Sequence, residues 1–302
     1  MKRATGSMDT SLSSPPSLQP SSARRTPQLW IGLFLVALFW TLNWTLEGLR
    51  TQWLFFPLWL GYTLVVDGLC ARRSGTSALT RSALGFVLQF ILSAPGWWLF
   101  ELINLRIGNW EYVGREHFSD LEYALYCTLS FSTVLPAILG TTELVLTSRF
   151  VQRAERGPKL TSSAWLPALC AMIGLAMLAA MLIWPSVFYL FCWTSLVFLF
   201  EALSAWLGRG GMSADLKRGD WRLWSALWIA GLACGFLWEM WNFWSYPKWI
   251  YHVPGADFWR VFEMPLLGYL GYLPFAMEQY LFAELFLPRI SRAELCAAQA
   301  KR

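Results

Sequence analysis

Two carboxylates stand out in this chain because each lies in a long apolar run with an amide three positions later. The first copy has Glu101 and Asn104, and the second has Glu239 and Asn242. This spacing places both side chains on one face of a helix. An acid within a membrane segment is costly and commonly functional. We therefore take Glu101 and Glu239 as candidates for general acid and base catalysis.

An aromatic pair follows each copy at nearly the same distance, and a tryptophan directly precedes Glu239. Such rings could belong to the interfacial belt of any membrane protein. Their fixed position after the acid favours a binding role instead. The two amides could orient the carboxyls by hydrogen bonds or join neighbouring helices. The residues that we expect to bind a substrate are Asn104, Asn242, Trp110, Tyr112, Trp249, Tyr251 and Trp238.

Two further acids complete the catalytic candidates. Glu278 lies in the middle of an apolar run, where an unpaired carboxyl is expected to stay protonated and could serve as an acid. Glu263 is predicted at the start of the last membrane span, level with Glu101 and Glu239. Asp67 and Glu201 lie near basic loops, so ion pairing explains them better than chemistry.

The elements that position these residues are predicted to be membrane helices. Of the 302 residues, 56% are hydrophobic and 14% are charged, and the mean hydropathy is +0.42, whereas a soluble domain has about 25% charged residues. Runs near the length of about 20 residues that spans a bilayer recur along the chain. The sequence predicts an all-α, polytopic bundle of about eight spans at 29–46, 53–70, 83–105, 122–146, 164–184, 187–207, 222–245 and 262–287.

The basic residues predict the orientation of these spans, because cytoplasmic loops are enriched in Lys and Arg. With both termini cytoplasmic, five of the 24 Lys and Arg residues fall in the opposite loops: Arg50, Arg106, Arg115, Lys248 and Arg260. The net charge of +5 therefore reflects orientation in a membrane, for which we expect the bacterial inner membrane, and no nucleic acid partner is expected.

The doubled motif belongs to a longer internal repeat. Glu101 to Glu239 and Asn104 to Asn242 are each 138 positions apart, and the aromatic pairs are 139 apart. We predict two parallel four-helix repeats, 29–150 and 151–290, with a disordered tail at 1–28 and a second tail at 291–302. Two registers stay open for the last helix of each half. One pairs Pro136 with Pro274, and the other pairs Glu122 with Glu263 and Glu143 with Glu284.

Several classes of function lack their motifs. The chain has no nucleotide-binding Gly-x4-Gly-Lys-Ser/Thr loop, no Gly-x-Ser-x-Gly elbow, no His-Glu-x-x-His and no paired Asp-rich motif of prenyl transfer. The six cysteines include no Cys-x-x-Cys pair, and His117 and His252 do not align in the repeat. No metal site is expected.

The residues around Glu101 resemble a known signature. Glu101, Gly108, Trp110 and Tyr112 are similar to the acidic-x6-Gly-x-Trp-x-aromatic pattern of the membrane lycopene cyclase domain in its tandem form, and to the related carotenoid hydratases. The Pro-x-Glu-Glu element of that family is missing, and the second copy has Tyr246-Pro247 in place of the glycine. The resemblance implies proton-initiated, non-redox chemistry on a long polyene, without a dissociable cofactor.

The leading hypothesis is an integral-membrane enzyme that acts on an isoprenoid or another hydrophobic lipid by acid–base chemistry, as a cyclase or hydratase does. Aromatic walls could shelter a carbocation formed by protonating an alkene. The alternative is a proton-coupled transporter or lipid-binding protein that uses the same carboxylates. An assembly factor for a partner in the bilayer is a third possibility. The sequence leaves the oligomeric state open.

Overall fold

A computed structural model describes residues 26–161, 163–209 and 211–287, and most of them are helical. The predicted tails fall almost wholly outside these ranges. The first helix already begins at Pro27, where the fixed backbone angle of proline suits a helix start. This start is two residues before the predicted first span at 29–46.

The described ranges contain thirteen α-helices. They are α1 Pro27–Thr45, α2 Thr51–Ser74, α3 Ala78–Arg81, α4 Ala83–Ile107, α5 Asp120–Phe131, α6 Val134–Leu146, α7 Arg149–Gln152, α8 Leu166–Ile183, α9 Pro185–Phe188, α10 Ser195–Trp206, α11 Ser213–Arg218, α12 Arg222–Phe243 and α13 Tyr272–Phe286.

Six segments of the described chain are long and apolar enough to cross a membrane. They are α1, α2, α4, α8, α12 and the combined segment Asp120–Leu146, which contains α5 and α6. A seventh crossing results if Pro185–Cys192 and Ser195–Trp206, bent by 44° to each other, form one span. The helices therefore have the length and composition of a membrane protein, and their bounds follow the apolar runs of the sequence.

The last predicted span, 262–287, differs most from the structure. Arg260–Val261 and Met264–Pro265 form a short antiparallel hairpin, here β3 and β4, and a 3-10 helix follows at Leu266–Gly271. Only 15 residues remain for α13, and at about 1.5 Å per residue they are shorter than a hydrocarbon core of about 30 Å. Glu263 consequently lies in the turn between β3 and β4 rather than at a helix start.

Two other strands join the halves of the chain. β1, Trp110–Val113, pairs antiparallel with β2, Lys248–Tyr251. In this register Trp110 lies opposite Tyr251 and Tyr112 lies opposite Trp249. Trp110 corresponds to Trp249 in the repeat, and Tyr112 corresponds to Tyr251. Each strand therefore pairs the tryptophan of one copy with the tyrosine of the other, and the ribbon has a local two-fold axis. The axis passes through the central pair of Glu111 and Ile250.

Beneath this ribbon, the core lies where α2, α6, α12 and α13 meet. Leu58, Leu135, Ile138, Leu227 and Leu281 are completely buried there. Burial of each such side chain contributes about 1.5–3 kcal/mol when water is the reference. The candidate acids lie on α12, which is part of this core, and on α4, which packs against it. Both helices end just before the ribbon.

Asp67 and Glu201 have matching structural roles at the opposite ends of the helices. Asp67 accepts hydrogen bonds from the Leu79 backbone N–H at 2.9 Å and the Ser77 hydroxyl at 2.8 Å, at the start of α3. Glu201 accepts the backbone N–H groups of Met212 and Ser213, both at 2.9 Å, at the start of α11. Each carboxylate thus satisfies N–H groups that a helix start leaves without partners.

Candidate active site

The candidate site begins where α4 ends and β1 starts. Gly108 has a positive φ of 63°, a conformation that glycine adopts without strain and that commonly terminates a helix. Asn104, in the last turn of α4, then holds the strand: its Nδ2 donates to the Trp110 carbonyl at 2.7 Å, and its Oδ1 accepts the Asn109 N–H at 2.9 Å. The amide therefore positions the aromatic strand beside Glu101.

The second copy is held in the same way without a glycine. The Asn242 Nδ2 donates to the Trp249 carbonyl at 2.7 Å, and its Oδ1 accepts the Trp249 N–H at 3.0 Å. The sequence suggested that Asn104 and Asn242 orient the carboxyls or join helices. Their hydrogen bonds in the structure serve neither role. Each amide instead binds the backbone of the strand that follows its own helix.

Glu101 is a partly buried acceptor of three hydrogen bonds. The indole N–H groups of Trp97 and Trp110 donate to its Oε1 at 2.8 and 3.1 Å, and the Tyr112 hydroxyl donates to the same atom at 2.6 Å. Trp97 precedes Glu101 by one helical turn, so the i, i+4 spacing brings the two side chains together. Three aromatic side chains thus donate to one oxygen of this carboxyl.

Glu239 is completely buried and has a different set of donors. The hydroxyls of Tyr251 and Tyr272 donate to its Oε1 at 2.8 and 2.6 Å. Its Oε2 has no hydrogen-bond partner among the described residues. The Tyr251 contact repeats the Tyr112 contact of the first copy, whereas the Tyr272 contact comes from α13.

Two of these phenols lie in the strands outside the membrane-spanning helices. Burial raises the pKa of Tyr112 well above its usual range, and the adjacent Glu101 carboxylate raises it further. Burial also raises the pKa of Tyr251 well above its usual range. Both phenols are therefore protonated at neutral pH and can donate hydrogen bonds to the two carboxyls.

A cavity with about 1060 Å³ of empty space, including its open mouth, lies between the two copies. Thirteen of its 21 lining residues are aromatic, so the wall is suited to an apolar ligand or a cation. Five of the seven predicted binding residues line it, and the two amides do not. The five are Trp110, Tyr112, Trp249, Tyr251 and Trp238.

A smaller cavity, with about 600 Å³ of empty space, adjoins the first. The wall shared by both cavities consists of Trp97, Trp110, Trp193, Tyr251 and Tyr272. Trp193 stacks on Trp110 at a centroid distance of 5.9 Å. The two cavities are thus separated by rings, among which are donors to both Glu101 and Glu239.

The carboxyls of Glu101 and Glu239 do not line either cavity themselves. Glu101 lies behind one tyrosine hydroxyl and two indole N–H groups, and Glu239 lies behind two tyrosine hydroxyls. The rings of these donors form the wall. A proton could therefore pass between a carboxyl and a bound molecule through a phenol, because a hydroxyl both donates and accepts. The arrangement places two acid–phenol pairs beside one aromatic chamber.

The other two acids occupy different surroundings. Glu263 forms an ion pair with Lys248, which lines the larger cavity, and its Oε2 is 3.8 Å from the Arg260 guanidinium. Glu278 is buried in α13 near Cys192, outside the lining of both cavities. Its Oε2 has no hydrogen-bond partner among the described residues. Neither acid contacts Glu101 or Glu239 through a hydrogen bond in the described structure.

Three residues that shape the site are not among the predicted site residues. Trp97 belongs to an aromatic run beside Glu101 in the sequence, and its place one helical turn before that acid is a signal for a contact. Tyr272 and Trp193 gave no such signal, since they reach the site from distant parts of the chain. Among the described residues, no group of three or more His, Cys, Asp and Glu side chains is arranged to hold a metal ion.

No protein-family model, no curated protein and no solved structure matches this chain.

Proposed function

We propose that this protein is a membrane enzyme that acts on an isoprenoid or another hydrophobic lipid by non-redox acid–base chemistry, as a cyclase or hydratase does. One observation carries the proposal. Two carboxyls, Glu101 and Glu239, are each hydrogen-bonded to tyrosines that line the same aromatic cavity. Titratable groups that converge on a concave apolar site are a common mark of catalysis.

The cavity suits an apolar reactant. The lining residues include four tryptophans, Trp97, Trp110, Trp193 and Trp238. The faces of such rings attract cations, so a carbocation formed on a bound alkene would be stabilised there while water is excluded.

The acid–phenol pairs supply a route for the proton. The Tyr272 O–H would break as its proton forms a C–H bond with the π electrons of an alkene, and a protonated Glu239 would return a proton to the Tyr272 oxygen. The resulting cation would then lose a proton in one of three ways: directly from the adjacent carbon, from the oxonium formed by adding water, or from the new cation formed by adding an internal alkene. In each case Tyr112 would accept that proton while passing its own to Glu101. Glu239 ends ionised and Glu101 ends protonated, so exchange of one proton with solvent at each carboxyl restores the site without a redox partner.

The finer architecture belongs to the same proposal. We infer eight membrane crossings in two parallel repeats, 29–150 and 151–290, in which the bent pair of helices is one crossing and the 3-10 helix Leu266–Gly271 together with α13 is the last. Both termini would lie in the cytoplasm, and the membrane would be a bacterial inner membrane. The local two-fold of β1 and β2 and the matched bonds of Asn104 and Asn242 support the repeat. The resemblance of the Glu101 motif to the membrane lycopene cyclase domain is consistent with a polyene substrate.

Lipid and pigment profiles test the function. We expect a strain without the gene to accumulate a substrate that plasmid-borne wild type converts, and we expect Glu101→Gln and Glu239→Gln to abolish conversion at normal expression and membrane insertion. Glu111→Gln is the matched control, because Glu111 is exposed on the same ribbon and contacts His252 rather than the site. Wild-type product levels in either site variant would refute the assignment.

Glu278 favours a second candidate function, proton-coupled transport. Its buried carboxyl has an oxygen without a partner and lies away from both cavities, and buried acids of this kind often carry protons across membranes. Proteoliposome flux that responds to a pH gradient and is lost in Glu278→Gln would support transport. Unchanged flux in that variant would count against it.

A further inference from the structure

The two copies of the site differ at one position in a way that separates their chemistry. In the first copy, the residue one turn before the acid is Trp97, which donates to Glu101. In the second copy the corresponding residue is Gly235, which has no side chain to donate. The four-residue spacing to the acid is the same in both, so the two positions are equivalent on their helices.

Tyr272 occupies the space beside Gly235. A Cβ atom built on Gly235 would lie 2.3 Å from the Cδ2 atom of Tyr272, so no larger residue fits without moving the ring. The same ring is stacked on Trp238 at a centroid distance of 6.1 Å and directs its hydroxyl to Glu239. Tyr272 therefore takes the place in the second copy that Trp97 takes in the first.

The exchange changes the kind of donor. Trp97 and Trp110 offer indole N–H groups, which donate but cannot accept a hydrogen bond. The two hydrogen bonds that Glu239 receives come from the hydroxyls of Tyr251 and Tyr272, which donate and accept, and the Trp249 indole lies near the carboxyl without completing a hydrogen bond among the described residues. A proton on Glu239 can be passed on through two phenols, whereas Glu101 has one phenol and two indoles that only stabilise negative charge.

The two carboxyls also differ in burial and in the number of hydrogen-bond donors, and both differences favour a proton on Glu239. Glu101 is partly exposed and receives three donors on one oxygen. Glu239 is completely buried, and its Oε2 has no partner among the described residues. A buried ionised oxygen without a donor is costly, and protonation lowers that cost because it replaces a buried charge by a neutral group.

We infer that the two copies have diverged into unlike partners, with Glu239 as the protonated acid acting through Tyr272 and Glu101 as the ionised carboxylate that receives the proton through Tyr112. Tyr251 and Tyr272 both line the two cavities. Of these two, Tyr272 is the phenol without a counterpart in the first copy, because Tyr251 corresponds to Tyr112. The assignment of direction rests on the proposed function. The difference in protonation does not, because it is a property of the protein without substrate.

Infrared difference spectroscopy of the full chain in lipid nanodiscs at neutral pH tests this inference. We expect wild type minus Glu239→Gln to show the carbonyl band of a protonated carboxyl. Wild type minus Glu101→Gln should show carboxylate bands and no protonated carbonyl band. The reverse pattern, or the same kind of band for both residues, would overturn the inference.

Tyr272→Phe provides the second measurement, because it keeps the ring in place and removes only the hydroxyl. It should shift the carbonyl band assigned to Glu239 and leave the carboxylate bands of Glu101 unchanged. Trp97→Phe is the matched variant of the other copy and should shift only the carboxylate bands. A Glu239 band that does not move in Tyr272→Phe would exclude the relay.

Failure of this inference and failure of the proposed function can be told apart. The infrared bands are read without any substrate, whereas the enzyme assignment depends on lipid profiles. If the infrared bands of Glu101 and Glu239 differ but the lipid profiles of the variants match wild type, the divergence of the two copies stands and the proposed enzyme function fails. If the two carboxyls give the same kind of band but Glu101→Gln and Glu239→Gln both lose conversion, the enzyme function stands and the divergence of the two copies fails.

Discussion

The ring of Tyr272 lies where a side chain at position 235 would be, and Gly235 is the residue that allows it. The Tyr272 Cδ2 atom is 2.3 Å from the position of a Cβ atom at Gly235, and the Tyr272 hydroxyl is 2.6 Å from the Glu239 carboxyl. A glycine in α12 thus determines which donors reach the second acid. In the first copy a tryptophan fulfils that role from within the same helix.

The first prediction concerns this contact. Gly235→Ala should displace the Tyr272 ring, and such overpacking costs about 1–3 kcal/mol, so the melting temperature in detergent should fall. Gly140→Ala is the control, because its Cβ would meet its nearest neighbour, Val66, at an ordinary 3.5 Å, and alanine favours a helix by about 1 kcal/mol. Equal melting temperatures of Gly235→Ala and wild type would show that the ring is not held as described.

The second prediction concerns the amides that hold the strands. Asn242→Ala removes the partners of the Trp249 N–H and carbonyl groups. Leaving buried polar groups unpaired costs about 1–3 kcal/mol each, so thermal unfolding should begin at a lower temperature and the tryptophan fluorescence of the ribbon should change.

Asn104→Ala should have a smaller effect than Asn242→Ala, because Asn104 is only partly buried whereas Asn242 is 1% exposed. Thr41→Ala serves as the control, since the exposed Thr41 hydroxyl bonds only within its own helix, to the Ala37 carbonyl. A stability of Asn242→Ala that matches Thr41→Ala would contradict the role given to the amide.

The third prediction uses a natural thiol in the cavity wall. Cys127 lines the larger cavity and is partly exposed, whereas Cys70, Cys170, Cys192 and Cys234 are buried. In a Cys296→Ser background, a small apolar thiol reagent should modify Cys127 first, as read by intact-mass and peptide spectra. Cys127→Ser should lose that modification.

An apolar ligand bound in the cavity should protect Cys127 by covering it. Retinol or a short polyene can serve as the probe, added at increasing concentration before the reagent. Protection that saturates would support a binding site in this chamber. Labelling of a buried cysteine before Cys127, or labelling that does not change with any probe, would argue against an accessible apolar cavity.

Much of the fold could be predicted from the sequence, because an apolar run long enough to cross a membrane forms a helix there irrespective of the rest of the fold. The bounds of α2, α4 and α12 lie within a few residues of the predicted spans. The last span was predicted less well, since its hydropathy does not reveal that residues 260–265 form a hairpin. Glu263 therefore lies beside Lys248, a partner that no local pattern indicates.

From the amino-acid sequence alone it follows that Glu101 and Glu239 occur in equivalent places with equivalent aromatic residues, because spacing along a helix determines which side chains share a face. The pairing of the two aromatic strands, and the position of Tyr272 in place of Trp97 in the second copy, are established by the fold. Those contacts join residues far apart in the chain, and their distances depend on how the helices pack. Local spacing carries no information about that packing, so the chemical difference between the two copies becomes visible only in three dimensions.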